Sequence, residues 1–335
     1  MSSSETALSR GPEHPGAHLG LTWRPLSVDD VEAAAALALA ADAADRPLHP
    51  FTPHQIVQAL TSPAADLAHN SLAGFSPQGV LDAMSLVRGE PERHRALLLA
   101  TIHPQWRRRG IGRSLLRWQD ARARQLLEES GTGAEGSRGA RIGVFVDEHL
   151  TDRRRMCAAA GFAPVRWYRV LERQVRGAGL PPVAPVPRVR IVGLGPQWSE
   201  ATRMAHHEAF ARDFEPAVLS PRRWAERMAG THFPWSFLAL TERDEIAGYV
   251  LSSRSPQAWT DGTFGSTDFL GVRPAHRGRG IGRALLTRAI RAYAADDMQG
   301  ARLDVDTENS SGALDLYASL GYEAREATVL YSIEL

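Results

Sequence analysis

The sequence predicts an α/β fold made of two tandem α/β domains, each a mixed central sheet with helices on both faces. Three observations predict it. A glycine- and arginine-rich turn is written twice, as "WRRRGIGRSLL" at Trp106–Leu116 and as "HRGRGIGRALL" at His276–Leu286. Each copy stands in the same order of strand-like and helix-like stretches, which marks an internal duplication. Between the copies, "GAGLPPVAPVPR" holds four prolines and almost no charge, as an extended linker does. The chain has 335 residues, enough for two domains of about 150 residues each.

The elements follow in order. Residues 1–18 are polar and rich in Gly, Ser and Pro, and read as a flexible tail. The first domain is expected over 19–176, the linker over 177–187, and the second domain over 188–335. Each opens with a strand and a helical stretch, "LTWRPLSVDDVEAAAALALA" and "VRIVGLGPQWSEATRMAHHEAF". Strand-like runs come next: "VLDAMSLVR" and "ALLLATI" in the first half, "SFLALTE", "EIAGYVLSS" and "STDFLGV" in the second. The arginine-glycine turn then leads into a helix, where Leu285, Leu286, Ala289, Ile290 and Tyr293 form an apolar stripe. A further strand ("RIGVFV" or "ARLDVD") and a short helix close on Gly161-Phe162 or Gly321-Tyr322. From turn to closing glycine the first half is ten residues longer, close to the length of the Gly-rich insertion "EESGTGAEGSRG".

Composition narrows the function classes. A formal charge of +1 gives no general attraction to nucleic acid, and no basic-aromatic interleaving suggests one. No apolar run is long enough for a membrane span, and the N-terminus has no signal-peptide core. Cys157 is the single cysteine, which fits a reducing cytoplasm and excludes a disulfide framework. The histidines, including His206-His207, lack a ligand pattern, so no metal is expected.

The turn itself suits an anion. Gly278, Gly280 and Gly282 permit backbone conformations and close approaches that a Cβ would obstruct. The helix from Arg283 points free N–H groups and its positive dipole end at the turn. Arg277 and Arg279 add guanidinium groups suited to phosphate oxygens. A P-loop would need Gly-Lys-Ser/Thr, which both copies lack, and a Rossmann turn would follow the first strand of its domain rather than a late one.

With its flanks, "VRPAHRGRGIG" resembles the acetyl-CoA-binding motif of the GNAT superfamily of N-acetyltransferases, Arg/Gln-x-x-Gly-x-Gly/Ala. The segment "LDVDTENSSGALDLYASLGY" is similar to the last motif of the same family. Two such domains in one chain are similar to mycothiol synthase-like tandem proteins of actinobacteria. The resemblance implies that acetyl-CoA is bound by Leu270, Gly271, Val272, Arg277, Gly278, Arg279, Gly280, Ile281, Gly282, Arg283 and Asn309. It implies Tyr317 as the acid that protonates the departing thiolate, and Asp268 as the base that takes the amine proton. Asp268 and Ser266 stand four and six residues before Val272 and, by strand alternation, both share one face. Asp304 and Asp306 are alternative bases, and a glutamate is expected in mycothiol synthases where Ser266 stands.

In the first half, Leu98, Ala96 and Cys157 occupy the positions of Asp268, Ser266 and Tyr317. That half therefore lacks the acid-base pair. Its turn, with Ile102, Arg107, Arg108, Arg109, Gly110, Ile111, Gly112 and Arg113, either holds a structural acetyl-CoA or is a solvated basic turn. The expected reaction is acetylation of a primary amine on a small molecule by a monomer or homodimer, with no membrane or nucleic-acid partner. A CoA-binding pseudoenzyme or sensor, and an enzyme acting on a protein or peptide amine, are the rival readings.

Overall fold

The computed structural model describes residues 11–62, 65–90, 94–130, 139–177, 179–211, 219–255, 263–308 and 312–335, without the side chains of His54 and Ser255. Most of the tail, the centre of the glycine-rich insertion, part of the loop after Ala211, and Asn309 therefore lie outside the described residues. The chain divides into two compact units. The first comprises residues 1–146, 150–164 and 330–335; the second comprises 147–149 and 165–329.

In the first unit, β1 (Thr22–Arg24) is followed by α1 (Val31–Asp45), α2 (Pro53–Thr61) and α3 (Leu67–Asn70). Then come β2 (Ser71–Phe75), β3 (Leu81–Glu90), β4 (Arg95–Ile102), α4 (Ile111–Glu129), β5 (Arg141–Asp147) and α5 (Thr151–Ala159). Strands β1 to β4 pair antiparallel in chain order, and β4 pairs parallel with β5. Helices α1 and α2 bury Leu37, Ala38, Ile56 and Leu60 against Ala73, Leu81 and Met84. On the other face α4 sends Gln119 Nε2 to the carbonyls of Leu86 and Leu99, at 3.2 and 2.7 Å.

After β6 (Ala163–Gln174), the second half runs β7 (Val189–Gly193), α6 (Ser199–Ala209), α7 (Pro221–Ala229), β8 (Phe237–Thr241), β9 (Ile246–Ser255) and β10 (Phe264–Val272). It ends with α8 (Ile281–Ala295), β11 (Gly300–Asp306), α9 (Ala313–Ser319) and β12 (Glu323–Glu334). Strands β7 to β10 are antiparallel in order, and β10 is parallel to β11. The α8 stripe read from the sequence is fully buried: Leu285, Leu286, Ala289, Ile290 and Tyr293 are each 0% exposed. They pack with Ala247, Val250 and Leu303 on one face of the sheet, while α6 and α7 cover the other face through Ala205, Trp224 and Met228, in one cluster with Phe269 of β10.

The units are not the two continuous halves. Strand β6 lies in the second unit from Val165 onward and pairs antiparallel with β11, from Gly300↔Gln174 to Asp306↔Tyr168. The last residues of β12 lie in the first unit, where Leu335 N donates to Ala140 O at 2.8 Å and Ser332 Oγ to Ile142 O at 3.1 Å.

Candidate active site in the second unit

The site is built where β10 ends. Arg273 N donates to Ala247 O at 2.9 Å, which holds the strand end to β9. Pro274 then opens a short 3-10 turn, and Gly278 and Gly280 follow with φ of 74° and 79°. Both are left-handed, a conformation that favours glycine. Gly280 caps α8, so the first-turn N–H groups of Ile281, Gly282 and Arg283 have no acceptor within the helix. They converge at the positive end of a 15-residue helix, a place suited to phosphate. Ile281, 1% exposed, anchors that helix start in the core. Gly282 is helical. A Cβ there would stand 3.6 to 3.9 Å from Leu316, Val272 and Leu270, ordinary contact distances. It leaves bare backbone between the helix start, β10 and α9.

The arginines of the turn do other work than the sequence suggested. Arg277 bonds Val272 O through Nε at 3.1 Å and Ala209 O at 2.6 Å, bracing the turn against β10 and the end of α6. Arg279 reaches Pro187 O at 3.0 Å and His276 at 3.2 Å, while Arg283 bolts α8 to α9 through Ser319 Oγ at 2.6 Å. The groups this turn leaves open to an anion are therefore backbone N–H groups and the helix dipole rather than Arg277.

Beside the turn the sheet opens. Strands β10 and β11 are paired from Phe264↔Gly300 to Thr267↔Leu303, and the register goes no further. From Phe269 to Val272, β10 pairs with β9. Because Arg273 N points to Ala247, ladder alternation turns the N–H and C=O groups of Leu270 and Val272 away from β9 and into the opening. Val272 O takes Arg277 there, and Leu270 N–H faces the opening.

Asp268 occupies a β-bulge between Thr267 and Phe269. One extra residue there shifts the side-chain phase of the strand. Thr267 faces α8, bonding Tyr293 OH at 2.9 Å, and so do Leu270 and Val272 beyond the bulge. Asp268 and Ser266 share the opposite face with each other, toward α6 and α7. Ser253 Oγ donates to Asp268 at 2.9 Å. Burial raises the Asp268 carboxyl above the ordinary carboxylate range; the charge of Arg227 and the hydroxyls of Ser253 and Ser266 oppose that rise, and Asp304 adds to it. Of the alternative bases, Asp304 is exposed and Asp306 accepts from Glu308 N at 2.9 Å as a turn anchor.

Tyr317, on α9, is 9% exposed and packs in the α8-side core with Leu270 and Val272. Its hydroxyl has no hydrogen-bond partner among the described residues. Burial pushes its pKa up to about 12, so it remains protonated through the neutral range. A thiolate in the same apolar setting is penalised in the same direction.

The first unit repeats the backbone without these groups. Arg108 and Gly110 are left-handed, with φ of 62° and 87°. Arg107 bonds Ile102 O at 3.1 Å and is clamped by Asp45 at 2.6 and 3.0 Å. Arg109 lies over the Trp106 ring at 4.5 Å, and Arg108 is exposed 3.7 Å from Asp152. Ile111 is buried, Arg113 is exposed, and Met156 crowds Gly112. The register of β3 and β4 runs unbroken past Leu98, which is buried, as is Ala96. Burial pushes the Cys157 thiol up to about 11, leaving a protonated core residue. Trp224 and Trp235 are likewise core residues, and His206 is buried with its Nδ1 at 2.5 Å from Tyr249 OH. Among the described residues no group of His, Cys, Asp and Glu is assembled to hold a metal, and no helix is long and apolar enough to cross a membrane.

Comparison with known proteins agrees with this geometry. Residues 200–322, which lie within the second unit, match the acetyltransferase (GNAT) family model. Among individual proteins the chain is similar to the mycothiol acetyltransferases. That of Thermobifida fusca is 29% identical over 248 residues, covering 69% of this chain and 72% of the relative. That of Thermomonospora curvata is 28% identical over 301 residues, covering 84% and 94%. Two solved structures share the fold. A GCN5-related N-acetyltransferase from Sphaerobacter thermophilus has a TM-score of 0.73 at 23% identity, covering 96% of this chain and 97% of that one. A tandem GNAT protein from the clavulanic acid biosynthesis pathway has a TM-score of 0.67 at 21% identity, covering 94% and 98%.

Proposed function

We propose that the second unit transfers an acetyl group from acetyl-CoA directly to a primary amine of a small molecule, with both substrates bound together. The observation that carries this reading is a half-buried carboxylate on the bulge of β10, beside a sheet opening that leads to the glycine turn. The N–H groups at the start of α8 receive the pyrophosphate, and the edge of β10 from Leu270 to Val272 takes the pantetheine arm as an added strand. Leu270 N–H donates to the thioester carbonyl as negative charge develops on it. Asp268, ionised, removes a proton from the amine. The nitrogen attacks the carbonyl carbon, the carbon–sulfur bond breaks, and Tyr317 gives its proton to the sulfur. Holding both reactants at one opening supplies the proximity contribution.

Asn309 is retained as a cofactor contact on the strength of the motif alone. The first unit has neither base nor acid, and we infer no chemistry there. The mycothiol acetyltransferases are the relatives in hand, yet Ser266 stands where a glutamate was expected, so the acceptor proposed here is an amine of another structure. Tyr317→Phe tests the mechanism: turnover falls by about 10²–10⁴ while acetyl-CoA affinity is kept. Unaltered thiol release in that variant removes Tyr317 from the reaction.

A further inference from the structure

The face of β10 that carries Asp268 also carries a cation. Arg227, on α7, holds its guanidinium carbon 5.1 Å from the centre of the Phe269 ring, the residue immediately after the bulge. It is exposed and makes no ion pair or side-chain hydrogen bond among the described residues. Many other arginines of the second unit are engaged: Arg190 with Asp244, Arg203 with Glu200, Arg273 with Glu208, and Arg277, Arg279 and Arg283 with the partners above. Arg254 and Arg288 are seated on Trp235 and Phe237, whereas Arg227 stands next to the candidate base. That position costs the reaction something, because a positive charge beside Asp268 weakens it as a base.

We propose that Arg227 is a specificity-determining residue of the acceptor site, and that the amine acetylated here carries an anionic group, a carboxylate or phosphate, which pairs with its guanidinium. The inference rests on the second unit being the acetyltransferase site. Planar, multidentate recognition of such groups is what arginine does best. The pairing also resolves the conflict with Asp268. Once an acceptor anion neutralises Arg227, the cation no longer opposes the effect of burial, and Asp268 becomes a better base when the amine is present. The groups facing Asp268 are then Ser253 from β9, Ser266 from β10, Asp304 from β11 and the compensated Arg227 from α7.

The test uses the full chain and acetyl-CoA-dependent thiol release with matched amine pairs. Amino acids are compared with their carboxamides, and phosphorylated amino alcohols with the parent alcohols. The wild type is expected to favour one class of anionic amine over its neutral match by at least about tenfold in kcat/KM. Arg227→Gln collapses that ratio toward one through the acceptor KM, and Arg227→Lys restores much of it. In Arg227→Gln the acid limb of kcat/KM moves to higher pH, because burial of Asp268 is then no longer opposed by the Arg227 charge. Equal use of charged and neutral amines by the wild type overturns the inference and leaves the acetyltransferase reading intact. A loss in Arg227→Gln shared equally by both members of each pair overturns it too, as a structural effect. Absence of thiol release with every amine removes both readings.

Discussion

At Asp268, one inserted residue decides what a carboxylate can do. The bulge turns it away from the α8 core, and burial holds its proton more tightly than an ordinary aspartate does. The consequence for stability has a definite sign. A carboxyl whose folded-state pKa is raised stabilises the fold below its unfolded pKa and loses that contribution as pH rises through the folded value. Asp268→Asn is therefore expected to melt higher than the wild type near pH 8 and to lose the acid limb of the pH–rate profile along with most activity. A lower melting temperature would show that the ionised carboxylate is a structural requirement. The identity of this residue was legible in the sequence, since an acid ahead of the turn stood out. Its facing was not, because a bulge depends on pairing with β9. Ser253 and Arg227 escaped notice for a related reason: they meet Asp268 only through long-range packing, and nothing in "SPRRWAERMAG" marks one arginine above the others. Arg277 was legible as part of a motif, but its bonds to Val272 O and Ala209 O needed the fold.

Among the elements, the turn and α8 were the most legible. Glycines at left-handed positions and an apolar stripe are local signals, and both appear where the pattern places them. Strands β6 and β12 were not foreseen. They follow the closing glycines, and no local feature says which strand they will join. Strand β6 gives the β11 side of the second unit a seven-residue antiparallel register. A fragment that starts at Gly177 lacks that strand and exposes the edge of β11. It is expected to be insoluble or to lose cooperative unfolding, while adding back residues 163–176 improves recovery. Soluble, cooperatively melting protein from residues 177–335 alone would show that β6 is dispensable.

For the molecule as a whole, duplication was plain from two matching turns, and the fold is shared with a tandem GNAT protein of known structure. The partition into units was harder to see, since contacts assign residues 165–176 and 330–335 across the boundary drawn from the linker. The two turns agree in backbone and differ in chemistry. One is followed by Tyr317 and preceded by a bulged Asp268; the other has Cys157 and a regular strand through Leu98. The central claim is that acetyl transfer depends on the turn at Gly280. The most direct measurement compares steady-state thiol release in Gly280→Val and Gly110→Val, with melting curves confirming that each is folded. Valine is strongly disfavoured at the φ of 79° and 87° found there. Gly280→Val is predicted to abolish amine-dependent turnover, and Gly110→Val to retain it. Normal turnover in folded Gly280→Val, or its loss in Gly110→Val alone, contradicts the claim.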